Sequence, residues 1–386
     1  MGRRELSIGL IGSGFMGKGH ALSYALVGRV FDDLLAAPRL RLIADRDADT
    51  ARRAARELGF EASVGHWREL LTHPEIDIVD ITAPNHLHSE MALAALTAGK
   101  HVYCEKPLAL DAASAATMAE AAREAGVVTM VGFNYLKSPA ALAAKGLISA
   151  GVLGEVWHFR GAFQQDVLAD PRQPFGWRFE RSLAGSGALG DLGAHVIALA
   201  HDLVGEVKQV CAQASTVIGE RPEALGGYGY REVAADGTAL RSVENEDAVQ
   251  ALLTFEGGAT GVLEANRVAT GRKAHLTFEV SGSRGAIAWD HERMNELQLY
   301  DSGDPADRRG FKTVIMGPDH PYYGRFWPVA GCGLGLGDTK VIEVYELLQA
   351  VAQGRPARPD FRSGAAVQRV VDAILESAQQ RRWVAV

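Results

Sequence analysis

The 386-residue chain is 47% hydrophobic and 23% charged, enough to bury a large core and long enough for two domains. Its net charge of −7, drawn from both signs, gives no basic footprint, which argues against nucleic acid or an anionic membrane as a partner. Residues 1 to 10 lack a secretory pattern, no uninterrupted run of about 18 apolar residues reads as a membrane span, and Cys104, Cys211 and Cys332 are scattered without a Cys-x-x-Cys pair; a soluble protein in a reduced, cytoplasmic setting is expected.

The first element is an apolar strand, Leu6 to Ile11, that runs into Gly12-Ser13-Gly14-Phe15-Met16-Gly17 and then a helical stretch, Met16 to Leu26. This strand, Gly-x-Gly-x-x-Gly, helix order predicts a dinucleotide at the turn. Gly12 would make the tight turn, Gly14 would let the backbone approach a pyrophosphate, and Gly17 would let helix and strand pack closely. The helix N-terminus supplies unpaired N–H groups and partial positive charge for phosphate. The second strand, Leu40 to Ala44, ends at Asp45, a candidate partner for the adenosine ribose hydroxyls. Asp45 stands 33 residues beyond Gly12 rather than the usual ~20, so an insertion is expected around Gly28 to Pro38. A carboxylate there accepts from a free 2′-hydroxyl and repels a 2′-phosphate, which favours NAD over NADP. The neighbouring Arg46 could instead bind that phosphate or cover the adenine.

Further strands are predicted near Ile78, Val102 and Val128, alternating with helical stretches from Thr50, Ser89 and Asp111. That alternation defines a doubly wound parallel α/β sheet over residues 1 to 132. His86 and His88 open a helix just beyond the strand Ile76 to Thr82, and Asn85 reads as its N-cap, with a cofactor contact as the alternative. Glu105-Lys106-Pro107 follows the strand His101 to Cys104, so Lys106 would face the crevice at the strand ends. The plainer reading is a surface lysine paired with Glu105. Pro107 restricts the Lys106 backbone and allows a cis bond, either of which would fix the side chain's aim.

From residue 133 to 386 the pattern changes to period two: Leu276, Phe278 and Val280 alternate with His275, Thr277, Glu279 and Ser281, and Glu256-Gly257-Gly258 reads as a hairpin turn. An α+β domain with an open, mostly antiparallel sheet is expected. Helical stretches fall at Ser138 to Ala150, Ala188 to Leu203, Lys340 to Ala352 and Gly364 to Gln379; residues 219 to 243 look like a surface insertion. Asp191 and His195 are four apart, which on an α-helix places them on one face. An imidazole beside a carboxylate is a ready general base for a hydroxyl proton. The pair also reads as a simple surface contact. A metal site is not expected, because no cysteine or third histidine has matching spacing.

Taken together, the Gly12 to Gly17 turn, Glu105-Lys106-Pro107 and Asp191-x-x-x-His195 resemble the Gfo/Idh/MocA oxidoreductases over nearly the whole chain. The resemblance implies a Rossmann domain followed by the open-sheet domain, with the last helices returning to the first domain. Within the family the chain is similar to levoglucosan and sugar 3-dehydrogenases through Gly14-Phe15-Met16-Gly17-Lys18, Thr82-Ala83-Pro84-Asn85-His86-Leu87-His88, Phe133-Asn134-Tyr135, Trp177-Arg178-Phe179, Gly185-Ser186-Gly187-Ala188-Leu189-Gly190-Asp191, Asp307-Arg308-Arg309-Gly310-Phe311 and Gly317-Pro318. Leu136-Lys137 departs from the arginine expected after Tyr135.

What the resemblance implies is an NAD-dependent oxidation of a secondary ring hydroxyl, at C3 of a sugar or anhydrosugar, to a ketone. Lys106, Asp191 and His195 would be catalytic: His195 takes the hydroxyl proton, Asp191 orients it, and Lys106 donates to the reacting oxygen. Phe15, Met16, Ala83, Asn85, His88 and Glu105 would join Lys106, Asp45, Arg46 and the glycines around the cofactor. Asn134, Gln165, Trp177 and Arg178 would join His195 around the substrate. Alternatives are an inositol or polyol dehydrogenase, an oxidation and elimination cycle that recycles NAD, and a non-catalytic sugar sensor, against which the three catalytic residues argue. Apolar residues on an open sheet face need cover, so an even-numbered homo-oligomer, a dimer or tetramer, is expected through the second domain. Trp157, Phe159 and Phe163, and Val249, Leu253 and Phe255, would serve either that interface or the core.

Overall fold

A computed structural model describes residues 4–223, 233–235 and 237–386. It divides the chain into two compact units: one runs to Lys137 and regains Leu334–Ala365, and the other comprises Ser138–Gly333 and Ala366–Val386. The expected boundary at 132/133 therefore moves to Lys137/Ser138.

The first unit is a six-stranded sheet in the order β3-β2-β1-β4-β5-β6. Its strands are β1 (Arg4–Ile11), β2 (Ala36–Ala44), β3 (Ala62–Val64), β4 (Ile78–Ile81), β5 (His101–Cys104) and β6 (Thr129–Val131), all parallel. Central parallel strands are covered on both faces, which is why Leu6, Ile8 and Leu10 are fully buried and the segment reads as an unbroken apolar run. Strand order reverses between β1 and β4, and the crevice at such a switch point is where a doubly wound sheet takes its ligand. No insertion follows Gly28. A 16-residue helix, Phe15–Val30, and the nine-residue β2 absorb the extra spacing before Asp45. β3 adds a strand beyond those expected, its three residues too few to show a period. The late helix Leu336–Gln353 belongs to this unit: Tyr345 stacks on Phe31 with ring centroids 3.9 Å apart, and Gln349 accepts from the Leu35 N–H at 3.0 Å.

A nine-stranded sheet organises the second unit, in the order β16-β15-β14-β13-β7-β12-β11-β8-β17. Its members are β7 (Val156–Gln164), β8 (Val207–Ser215), β11 (Ala248–Phe255), β12 (Thr260–Asn266), β13 (His275–Gly282), β14 (Gly285–Asp290), β15 (Glu296–Asp301), β16 (Lys312–Ile315) and β17 (Val384–Ala385). Every pairing is antiparallel except β7 with β12. Glu256 to Gly258 does close a β11–β12 hairpin. One face is apolar: Phe159, Phe163, Val249, Leu253, Phe255, Leu276, Phe278 and Val280 are all buried. Of the residues expected to serve either core or interface, only Trp157 stays open, at 55% exposure.

The other face presents Arg160, Gln250, Leu252, Thr277, Glu279 and Gln298. Arg181–Leu203 is apolar and long enough to cross a membrane by composition, but 83% of its apolar window is buried as a core segment. The helix Phe361–Gln380 joins the second unit from Ala366 onward, where Ser377 accepts from the Ala212 N–H at 2.9 Å; only the Leu336–Gln353 helix returns whole to the first.

The segment 219 to 243 is not all surface. Its ends pair as an antiparallel ribbon, β9 (Glu220–Pro222) with β10 (Leu240–Ser242), and Arg221 is fully buried, donating to the carbonyls of Leu168 and Asp170. Residues 224–232 and 236 of that segment lie outside the described residues.

Candidate active site

At the end of β1, Gly12 adopts φ +97°, a left-handed turn that glycine enters without strain. A Cβ on Gly17 would stand 2.1 Å from the Gly12 carbonyl oxygen, so the helix approaches the strand as closely as only glycine permits. Gly14 differs: a Cβ there would meet nothing within 4 Å. It is the N-cap of Phe15–Val30, has no capping side chain, and the first helical turn carries no acid. Unpaired N–H groups therefore face open space with the positive end of the helix behind them, a cradle that fits a pyrophosphate and that a side chain would fill. Phe15, 76% exposed, and Met16 flank it.

Asp45 sits beside this turn. Its Oδ2 accepts from the Ser13 N–H at 2.8 Å and the Ser13 hydroxyl at 2.6 Å, and Oδ1 accepts from the Arg46 N–H at 2.7 Å. The acidic residue thus braces the glycine turn as well as offering its carboxylate, and the sequence reading missed Ser13. Arg46 points into solvent, 84% exposed, near Asp47 at 3.4 Å. Thr82, just past β4, donates to the Gly12 carbonyl at 2.9 Å. Asn85 is not a side-chain N-cap: it opens a one-turn 3-10 segment, and the caps of that turn and of the next helix fall on Pro84 and Leu87. His88 is buried, its two nitrogens each 2.8 Å from a carbonyl, those of Ala83 and Pro107. Burial holds His88 below the ordinary histidine range against the pull of the two carbonyls, and the ring bridges the Ala83 and Pro107 loops.

Glu105 is not a surface carboxylate. Only 4% exposed, it is the hub of a buried charge cluster. Its Oε1 accepts from His20 Nε2 at 3.0 Å and from the Lys340 ammonium; Oε2 accepts from the Lys106 backbone N–H at 3.1 Å. His20 Nδ1 lies 2.9 Å from Asp80, and Lys340 also pairs with Glu343 at 3.0 Å. A histidine between two carboxylates donates from both nitrogens as an imidazolium. Burial alone would lower its pKa, but Asp80 and Glu105 overcome this and push His20 up to about 9. Burial likewise works against charge on Glu105, yet Lys340 and His20 hold it well below the usual carboxylate range. The Lys106–Pro107 bond is cis. Asn134, beyond β6, is buried and donates to Thr339 at 2.9 Å. Lys137, at the departure from the expected arginine, is an internal ion-pair partner of Glu346 that also donates to the Arg358 carbonyl.

In the second unit Asp191 lies in a π-helical turn, Leu189–Gly193, and His195 begins the α-helix Ala194–Leu203. The Ala194 N–H bonds back to Leu189, a span of five residues, so a π turn stands where the sequence led one to expect a continuous α-helix. π turns of this kind recur at functional sites. The glycines make the close packing possible: a Cβ on Gly187 would stand 2.0 Å from the Glu246 carbonyl oxygen. Glu246, buried before β11, accepts from the N–H groups of Gly187 at 2.7 Å and Leu189 at 3.0 Å. Burial raises its pKa against those bonds. Arg178 stacks over Trp177 at 4.4 Å and its Nε stands 4.0 Å from Asp191 Oδ2. The His195 ring is 5% exposed and meets the Phe163 ring at 6.0 Å; Gln165 follows two residues later, just past β7.

The first unit therefore gathers Gly12, Gly14, Gly17, Asp45, Ala83, Asn85 and Lys106 at its strand ends, and the second gathers Trp177, Arg178 and Asp191. Glu105, His88 and Asn134 are buried and hydrogen-bonded within the first unit. Among the described residues, His275, Asp290 and Glu292 bring potential metal ligand atoms within 4.8 Å of one another on the second sheet; one Glu292 oxygen is occupied by the Lys273 and Ala274 N–H groups.

A dinucleotide cradle on a doubly wound sheet, followed by a large mixed sheet, defines a two-unit NAD-binding oxidoreductase. The chain belongs to the Gfo/Idh/MocA family: residues 6–133 match the oxidoreductase family NAD-binding Rossmann fold and 141–288 the GFO/IDH/MocA C-terminal domain. It is 44% identical to levoglucosan dehydrogenase of Pseudarthrobacter phenanthrenivorans, covering 99% of this chain and 98% of that one. A solved levoglucosan dehydrogenase in complex with NADH and levoglucosan superposes with a TM-score of 0.94 at 44% identity, over 99% of this chain and all of that one. An NAD-binding oxidoreductase from Klebsiella pneumoniae is 48% identical, with a TM-score of 0.93 and 99% of each chain covered.

Proposed function

We propose that this protein oxidises a secondary ring hydroxyl, at C3 of levoglucosan or a closely related sugar, to the ketone, with NAD as hydride acceptor. The observation that carries this reading is whole-length likeness to levoglucosan dehydrogenase, in a chain that keeps Lys106, Asp191 and His195. His195 takes the hydroxyl proton, and Asp191 holds the imidazole and stabilises its charged form. Lys106 donates to the reacting oxygen as alkoxide character grows. Bound NAD+ supplies the hydride acceptor. The Gly14 cradle holds its pyrophosphate and Asp45 accepts from the ribose hydroxyls. Arg178, Trp177 and Gln165 contact the sugar: an indole face suits the apolar side of a pyranose, and the guanidinium its hydroxyls.

An NAD+ reduction assay across levoglucosan, glucosides, inositols and linear polyols tests this. Net NADH with levoglucosan or a related pyranose is the expected result. Turnover confined to inositols or polyols would overturn the substrate, and product release without net NADH would show an oxidation and elimination cycle instead.

We further propose a cytoplasmic homotetramer assembled through the open face of the second sheet. Leu252 is 50% exposed there, and a depression of about 350 Å³ is lined by Arg160, Thr277, Glu279, Ala288 and Gln298. Mixed charge with apolar patches suits a second copy of the same face. A light-scattering mass near 41.3 kDa at micromolar concentration would overturn it.

A further inference from the structure

We propose that His20 and Lys340 are positioning residues: together they clamp Glu105 so that its second oxygen fixes the backbone of Lys106. The inference rests on the assignment of Lys106 to the reacting oxygen. Glu105 divides its two oxygens between two tasks. Oε1 takes both cations, His20 Nε2 at 3.0 Å and the Lys340 ammonium, while Oε2 takes the Lys106 N–H at 3.1 Å. The clamp comes from two helices remote in sequence, Phe15–Val30 and Leu336–Gln353. Space for it is built in, since a Cβ on Gly132 would stand 2.5 Å from Glu105 Oε1.

Stability alone does not explain such a cluster. Desolvating several charges is costly, and well-packed apolar residues of similar volume often serve a fold as well or better. Both cations, however, act on the residue immediately before Lys106. His20 also stands one turn beyond Gly17, on the helix whose N-terminus forms the phosphate cradle. The hub therefore refers two things to one fixed point: the turn that holds the cofactor and the lysine that must meet the reacting oxygen. His20 adds a second anchor, because its other nitrogen bonds Asp80 on β4, the strand beside β5. Tyr103 completes the packing by stacking on His20 at 4.6 Å and donating to Glu343. Without the Lys340 ammonium, Glu105 can rotate, and the Lys106 N–H loses a fixed acceptor. A displacement of about 1 Å at a catalytic group costs on the order of 100-fold in rate.

The test compares full-length wild type with Lys340→Met, Lys340→Arg, His20→Gln and the charge-balanced double variant Lys340→Met/Glu105→Gln. Four quantities are read: Tm, the NADH dissociation constant by fluorescence, kcat and KM, and the acetylation rate of Lys106 relative to exposed Lys208 by peptide mass spectrometry. Lys340→Met and His20→Gln should lower kcat by about 10- to 100-fold while KM and NADH affinity stay within about twofold. The Lys106 to Lys208 acetylation ratio should shift by roughly threefold, and Lys340→Arg should recover most of kcat. The double variant should regain Tm but not kcat. If it regains both, or if the acetylation ratio is unchanged in every variant, the proposal is overturned and the cluster is structural. Should the wild type oxidise no sugar at all, the functional reading fails, and the acetylation ratio still decides the positioning role on its own.

Discussion

The two charged centres are held in opposite ways. In the first unit Glu105 is 4% exposed and locked between His20, Lys340 and the Lys106 N–H. In the second, Asp191 keeps 31% of its side chain exposed and its guanidinium neighbour, Arg178, stands 4.0 Å off, itself 25% exposed. A buried ion pair has no water to replace a lost partner, so its geometry is set when the chain folds. A half-buried pair keeps water within reach as an alternative partner. The contrast suits the two roles proposed above: a cofactor of constant shape needs a fixed frame, whereas a sugar must be admitted, gripped and released.

The sharpest way to break this comparison is at the chemistry. Lys106→Ala and His195→Ala should each lower kcat by about 10²- to 10⁴-fold, the usual worth of a positioned proton-transfer group. NADH binding measured by fluorescence should be unchanged; near wild-type turnover in either variant would sink the assignment.

Next comes the buried Arg267–Asp247 pair of the second unit, 2.8 Å apart and nearly fully buried. Asp247→Ala should destabilise that unit by about 3–5 kcal/mol in urea denaturation, because it leaves the guanidinium uncompensated. Arg178→Ala should cost under about 1 kcal/mol of stability while raising the KM for sugar. Equal losses for the two would erase the distinction between locked and adaptable charge.

The pH dependence sharpens the same point. His20 has its folded pKa raised from 6.5 to about 9, so its contribution is complete below pH 6.5 and is lost as pH rises through about 9. Wild type should lose on the order of 3 kcal/mol between pH 6 and 10, and His20→Gln should lack that component. Parallel urea midpoints for the two proteins across this range would refute it.

A smaller effect is expected at Asp45. Its replacement by alanine removes both the brace on Ser13 and the acceptor for a ribose hydroxyl, so NAD should bind about tenfold more weakly, the equivalent of ~1.4 kcal/mol. Preference over NADP should narrow. Titrations in which wild type prefers NADP and loses that preference with Arg46→Ala would reverse the cofactor assignment.

The sequence by itself determined the parts whose logic is local. Gly12 announced a turn that glycine enters without strain, Gly17 a close approach of helix to strand and Gly14 an open cradle, and the alternation of strand and helix announced a parallel sheet around them. Period-two runs such as Leu276 to Val280 marked a sheet with one buried face, and the family motifs marked Lys106, Asp191 and His195. Other features were invisible for stated reasons. The π turn at Leu189–Gly193 follows the same residue order as an α-helix and differs only in which carbonyl each N–H chooses. That Glu105 and Asn134 would be buried and bonded to His20, Lys340 and Thr339 was equally hidden, because those partners come from distant helices. The Glu105 clamp joins His20 and Lys340, 320 residues apart, and a hydrogen bond leaves no periodic trace over such a distance. What a residue is can be read from the chain; which charge it must neutralise depends on what the folded core places against it.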